Sequence, residues 1–286
     1  MKRIKVTTLI FFVLCCFALL SALHVVGQTM TGGTLVGGAL IIFDPTLGVS
    51  GSLVAVYSDI GVTKDGSDRI SLITDQTTNG CNVTQSTDGY KFIYYANQIN
   101  GYPSFRSDGV DDRMGIANLA SLLSGTDKTF TLFLVSKVRT LPETDHIITP
   151  LSIAHSDTIG PVCPISMIHT SVSEGSLYWS YFMDNDDNIL LDAKEGIADT
   201  NWCITSWVRT ANLFSIYKNG ILASEKAIIS GISTYNQVTL GCSNQAGGQN
   251  DFSNVDYAAI VGYDSALSNA NRQKVENGLN SRYAIY

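Results

Sequence analysis

Retaining hydrolysis of a glycosidic bond needs two carboxyl groups about 5–5.5 Å apart on either side of it, one acid and one nucleophile. Five glutamates could contribute, Glu143, Glu174, Glu195, Glu225 and Glu276, but the nearest two are 21 residues apart and none forms a short-spaced pair. Acid pairs built from Asp, or brought together only by folding, stay open. Nucleophilic catalysis has equally little local support. There is no G-x-S-x-G elbow, and His146, His155 and His169 are scattered. Oxygen ligands for a hard cation are better represented. Asp184-Asn185-Asp186-Asp187-Asn188 offers them at short spacing, and Asp108, Asp111 and Asp112 form a second group, so Ca²⁺ is the candidate ion for Asp184, Asp186, Asp187 and for the Asp108 group. Both are also the composition of ordinary turns, because Asp and Asn side chains satisfy nearby backbone N–H groups. The turn is the favoured reading of each.

Sugar recognition asks for aromatic faces backed by amides and carboxylates. A strand over residues 176–183 places Trp179 and Tyr181 on one sheet face and Tyr178 on the other. The polar stretch from Cys242 to Asp251, with Asn244, Gln249, Asn250 and Asp251, is the better binding candidate as a polar, flexible loop between two strands, although an ordinary long surface loop is the favoured reading. Nucleic acid is excluded as a partner. The net charge is −7, only 15% of residues are charged, and no Lys/Arg cluster is present to track phosphates.

Thr8 to Val26 is an uncharged apolar run of 19 residues behind Lys2, Arg3 and Lys5, the layout of an export signal. It is also just long enough to span a bilayer. Two outcomes are therefore carried forward: cleavage after Val25-Val26-Gly27, or retention of residues 1–27 as an anchor. Either puts the remainder outside the cytoplasm, secreted or surface-exposed, and membrane contact is confined to that segment. Without residues 1–27 the net charge is −10, since they hold three basic and no acidic residues. Cys15 and Cys16 lie in the apolar run, where Val13-Leu14 does not make a lipobox. Cys81, Cys163, Cys203 and Cys242 form no C-x-x-C pair, which argues against a zinc knuckle and leaves disulfide pairing as an option in an oxidising compartment. Asn82-Val83-Thr84 is an N-glycosylation sequon at Asn82.

The elements that must position these groups are mostly strands. Residues 28–47 read as a Gly-rich linker and first strand, and residues 48–286 as one large domain. Short β-like runs recur at 52–57, 69–74, 91–95, 129–138, 176–183, 202–208, 213–218, 238–242 and 257–263, with turn residues between them. Asn219-Gly220 is the strongest hairpin signal, because a type I′ turn needs positive φ at both central residues. A helix capped by Ser268 aligns Val275, Leu279 and Tyr283 on one face, and a shorter helical piece is expected over 118–123. The pattern predicts an all-β, two-sheet antiparallel sandwich with a short C-terminal helix lying on it.

The order of several motifs resembles the laminin-G-like, concanavalin A-like jelly-roll family. Asn100-Gly101-Tyr102-Pro103, Arg106, Asp108-Gly109 and Asp111-Asp112 match its N-G-x-P-x-x-R-F-D-G-x-D-D segment, and residues 129–135 resemble the core strand that follows. Trp207 with Tyr217-Lys218-Asn219-Gly220 is similar to its W…Y-x-N-G hairpin. Residues 258–283 are similar to its closing strand and helix, and Asp75, Asn79 and Thr84-Gln85 to its lead-in. Ser107 stands where a core Phe is usual, and Ala259 near a position that often carries Glu. The resemblance implies a concanavalin A-like fold shared by lectins, adhesion modules and glycanases. Glycanases of this architecture carry E-x-D-x-E or E-x-D-x-x-E on one strand, and this sequence has neither. The expectation is an exported, non-catalytic carbohydrate-binding or adhesion module whose partner is a glycan or a surface protein. The alternatives are a structural surface or virion-type protein that uses the sandwich for assembly as an oligomer, and a glycoside hydrolase or polysaccharide lyase.

Overall fold

The computed structural model describes residues 49, 53–126, 128–141, 147–154, 166–170, 177–179, 200–227, 232–233, 235–245 and 248–286. The apolar N-terminal run, the 28–47 linker, Cys163, Tyr181 and the Asp184, Asp186 and Asp187 group lie outside these residues.

Two eight-stranded antiparallel sheets face one another. The first runs in space Ile221–Ala227, Leu213–Lys218, Cys203–Arg209, Phe130–Val138, Val255–Tyr263, Tyr102–Arg106, Ile93–Ile99, and Leu53–Tyr57 also pairs with Val255–Tyr263. The second runs Leu177–Trp179, Ser166–Thr170, Ile147–Ala154, Gln237–Leu240, Met114–Ile116, Val83–Thr84, Ile70–Ile73, Val62–Lys64. This is the two-sheet sandwich that the alternation predicts. The core between the sheets is filled by residues such as Phe130, Leu132, Leu134, Trp207, Leu151, Val238 and Met114.

The middle of the first sheet is buried on both faces. Every residue of Val255–Tyr263 and of Cys203–Arg209 is buried. Along Phe130–Val138 the side chains alternate: Leu132 and Leu134 enter the inter-sheet core, whereas Phe133 and Val135 turn outward into a second apolar cluster. That outer cluster is closed by Val275, Leu279 and Tyr283 of the helix Asn269–Tyr283. Ser268 caps this helix, its Oγ accepting from the Asn271 N–H at 3.3 Å. The short helix Leu119–Leu123 also forms where expected.

A β-bulge lets the closing strand serve both clusters. Its register against Phe130–Val138 shifts between Tyr257 and Ala259, leaving Ala258 as the extra residue. Val255, Tyr257 and Ile260 face the inter-sheet core, and Ala259, Val261 and Tyr263 face the helix. The bulge is tied to the helix, because the Tyr283 hydroxyl donates to the Ala258 carbonyl at 3.2 Å. Ala259, in place of the Glu usual nearby, presents a small side chain to the packed helix.

The Asn219-Gly220 turn forms as read. Both residues have positive φ, 49° and 79°, and Lys218 pairs with Ile221. The Asn219 side chain accepts from the Ile204 N–H at 2.9 Å and so locks the hairpin to the next strand. Asn100-Gly101 makes an equivalent turn, φ 46° and 81°, between Ile99 and Tyr102.

One expectation needs correction. Within 242–251, Ser243–Gln245 and Gly248–Asn250 pair as two antiparallel strands in place of the expected loop. Their residues lack strand propensity, but the Ser243 hydroxyl reaches both the Asn250 carbonyl and the Asp251 carboxylate, at 3.2 and 2.8 Å. No disulfide joins Cys81, Cys203 and Cys242, which are buried thiols. The Cys81 N–H donates to Asp75, and the Cys203 thiol approaches the Ser136 carbonyl at 3.7 Å. Burial pushes the Cys81 and Cys242 thiols up to about 11 and about 12, which suppresses the thiolate that oxidation requires.

Between helix and sheet lies an ion pair of Arg272 and Glu276, with side-chain exposures of 3% and 1%. The Ser206 hydroxyl donates to Glu276 at 2.7 Å, and the Arg272 guanidinium stacks 3.6 Å from the Tyr217 ring. Removing one partner strands the other charge, whereas replacing both with apolar groups does not. Glu276→Ala is expected to lower the unfolding free energy by about 3–5 kcal/mol, with the Arg272→Met/Glu276→Leu double variant recovering most of it, as read by urea denaturation.

Candidate functional site

The acidic turn and the 243–250 hairpin, distant in sequence, meet at one end of the sandwich. Gly241, with φ +90°, leaves so little room that an added Cβ would stand 2.6 Å from the Asp112 carbonyl oxygen and 3.0 Å from the Phe92 ring. Beneath them runs a buried polar strap. The Ser107 hydroxyl donates to the Ser253 carbonyl and accepts from the Val255 N–H at 3.2 Å, and the Tyr257 hydroxyl donates to the Pro150 carbonyl of the facing sheet at 2.7 Å. Ser107 therefore fills the usual Phe position with hydrogen bonds.

Within the turn, Asp108 Oδ1 accepts from the backbone N–H groups of Val110, Asp111 and Asp112 at 2.8, 3.3 and 3.3 Å. Asp112 Oδ2 accepts in return from the Asp108 N–H at 3.0 Å. Oxygens of Asp108, Asp111 and Asp112 lie within 4.8 Å of one another, a spacing that a hard cation would accept. The bonds observed are those of a self-capped turn. Arg106, the other charged residue of the motif, holds the buried Asp256 at 2.6 Å while stacking on Tyr95 at 3.8 Å.

The sequence-selected binding residues are dispersed. In the hairpin, Asn244 pairs with Gln249 and Ser243 with Asn250; Gln249 and Asn250 are exposed, while Asp251 is half-buried and bonded to Ser243. Trp179 pairs with Ile168 at the far edge of the second sheet. The sequon residue Asn82 is half-buried, and its side-chain oxygen accepts from the Asp75 N–H at 2.9 Å.

A concavity lies at the other end of the Tyr102–Arg106 strand. It encloses ≈ 450 Å³ and is lined by Gln98, Asn100, Asn201, Trp202, Tyr283 and Ile285. Three separated segments build it: the Asn100-Gly101 turn, the residues just before the Cys203–Arg209 strand, and the end of the terminal helix. Trp202, partly exposed, packs its inner side on the cluster beneath the helix. In the sequence Asn100 stands out only as part of the N-G-x-P segment and Trp202 only as the start of the 202–208 run, and neither marks a binding site.

No protein-family profile and no curated protein sequence matches the chain. Solved structures do. The binding domain of Paraclostridial Mosquitocidal Protein 1 superposes with a TM-score of 0.54 at 14% identity, covering 80% of this chain and 52% of that one. The botulinum neurotoxin serotype D ligand-binding domain in complex with N-acetylneuraminic acid gives 0.53 at 12%, covering 82% and 53%. Domain 4 of a GH43 extracellular arabinanase from Geobacillus stearothermophilus, in complex with arabinotriose, gives 0.50 at 16%, covering 80% and 98%. The chain thus spans about half the length of the two toxin domains and nearly all of the arabinanase domain. At these identities the likeness is one of fold, a β-sandwich.

Burial, reinforced by the charge of Asp108, pushes the Asp112 carboxyl up to about 7. Between the ordinary carboxylate value of about 4 and pH 7, the folded chain keeps a proton that the unfolded chain has released, so stability falls as pH rises across that window. Urea unfolding midpoints should decline from about pH 5 to about pH 7, and Asp112→Asn, which keeps the acceptor for the Asp108 N–H, should flatten most of that decline.

Proposed function

We propose that the chain is an exported, non-catalytic carbohydrate-binding module acting at a cell or particle surface, of the laminin-G-like, concanavalin A-like kind. The observation that carries this reading is the shared sandwich: domains of the same fold have been solved with N-acetylneuraminic acid and with arabinotriose bound. The ordered motifs from Asp75 to Tyr283 support the finer family assignment, and the apolar run 8–26 supports export.

The fate of the glutamates argues for binding without cleavage. Of the two among the described residues, Glu276 is held in the buried pair with Arg272, and Glu225 accepts from the Ser215 hydroxyl at 2.9 Å. Neither is placed as an acid or nucleophile beside a partner carboxylate, which glycoside cleavage requires. The partner is a glycan, free or carried on a surface protein.

A printed glycan array probed with the folded protein should show saturable binding to a restricted set of sugars, and incubation with a polysaccharide panel should release no reducing ends. A blank array with folded protein removes the binding reading, and reducing-end release replaces it with catalysis. Export is checked separately, since the N-terminus of protein recovered outside the cytoplasm should be Gln28 after cleavage or Met1 if the apolar run is kept as an anchor.

A further inference from the structure

We propose that the groove between the Asn100 turn, Trp202 and the end of the terminal helix is a sugar-binding site that takes a short neutral saccharide and discriminates against acidic ones. This rests on the carbohydrate-binding reading above and adds to it a place and a ligand class.

The groove has the dimensions of a small-ligand site. Its ≈ 450 Å³ falls toward the lower end of the roughly 300–1,000 Å³ typical of ligand pockets, which fits a short saccharide or a chain end. Its lining has the two chemistries that a sugar presents. Gln98, Asn100 and Asn201 carry carboxamides, each both donor and acceptor, as sugar hydroxyls are. Trp202 and Ile285, both partly exposed, supply an apolar surface on which the C–H face of a sugar ring can rest, with the buried Tyr283 packed behind them.

The same lining argues against an anion. Among the described residues no Lys, Arg, Asp or Glu lines the groove. The neighbouring cations are already matched: Arg282 is bound to Asp59 and lies 4.0 Å from the Tyr102 ring centroid, and Arg106, which reaches Gln98 Oε1 at 3.3 Å, is paired with Asp256. The Tyr283 hydroxyl is spent on the Ala258 carbonyl, and burial holds its pKa up at about 12. A carboxylated sugar entering here would shed water without gaining a counter-charge, within a chain whose net charge is already −7.

The walls are fixed without a ligand. Asn100 Nδ2 donates to the Arg282 carbonyl at 2.7 Å and ties the turn to the helix end. Ala284 leaves the helix in the left-handed conformation, φ 51°, and Asn280 Oδ1 accepts from the N–H groups of Ile285 and Tyr286 at 2.8 and 2.9 Å. A groove already in its binding shape loses little entropy on occupancy.

The test uses the full chain and a printed panel of neutral oligosaccharides alongside the same oligosaccharides capped with sialic acid. Gln98→Ala/Asn201→Ala removes two exposed amides, of which Gln98 also bonds Arg106 and the Ala96 carbonyl, and, with folding confirmed by urea denaturation, should weaken neutral-glycan binding about tenfold or more. Trp202→Ala, whose folding is checked the same way, should abolish binding. Gln249→Ala/Asn250→Ala in the 243–250 hairpin should leave binding intact, and capping should weaken it by at least about tenfold. Unchanged affinity in the groove amide variant, loss of binding in the hairpin variant alone, or preference for capped glycans overturns the groove assignment while carbohydrate binding stands. A panel with no binder at all overturns both.

Discussion

A sheet that is apolar on both faces cannot be left half in water, and the rest of the structure answers to that constraint. Phe133, Val135, Val261 and Tyr263 point away from the inter-sheet core, and the terminal helix covers them together with Leu267, Trp202 and Ile285. Covering them brings the helix close enough for Tyr283 to bond the carbonyl at the bulge and for Arg272 and Glu276 to be sealed beneath it. An ion pair in that position gains little net stability, because desolvation offsets its attraction. Its hydrogen bond to Ser206 and its stacking on Tyr217 give the helix a defined rotation over the sheet. The groove by Trp202 follows from where the helix ends.

The motifs that carry the family resemblance turn out to hold structure together. Asn100 bonds the helix end, Arg106 holds Asp256, Asp108 and Asp112 cap one another, and Asp75 gathers the N–H groups of Val56, Thr77 and Cys81 around the lead-in loop. Asp75, Arg106, Asp112 and Asp256 are buried or half-buried, and few substitutes would keep their bonds. Residues of this kind identify a sandwich well and say little about its ligand, because a ligand site can change without disturbing them.

The parts of the fold legible in the sequence are those decided locally. Asn219-Gly220 demands positive φ, Ser268 caps a helix whose Val275, Leu279 and Tyr283 recur at its period, and the apolar run 129–138 could only be interior. Tyr102–Arg106 was less visible because Pro103 and Ser104 interrupt its apolar pattern, and Ile147–Ala154 because Pro150 sits inside it. The 243–250 hairpin is held by polar cross-strand bonds to which hydrophobic periodicity is blind. The groove was invisible for a different reason. Gln98, Asn201 and Ile285 have no relation along the chain, and only the sheet order and the helix docking bring them together.

The pairing of Val255–Tyr263 also governs when the molecule can assemble. One edge of this strand is matched along its length by Phe130–Val138, and the other is divided between Tyr102–Arg106 at its start and Leu53–Tyr57 at its end. Tyr57 meets Ile260 across this edge, so early and late chain must find one another before the first sheet has a centre. Contacts of such long sequence separation are formed slowly. The centre of the first sheet is therefore completed only once the C-terminal strand is in place, although Phe130–Val138, Cys203–Arg209, Leu213–Lys218 and Ile221–Ala227 pair with one another without it.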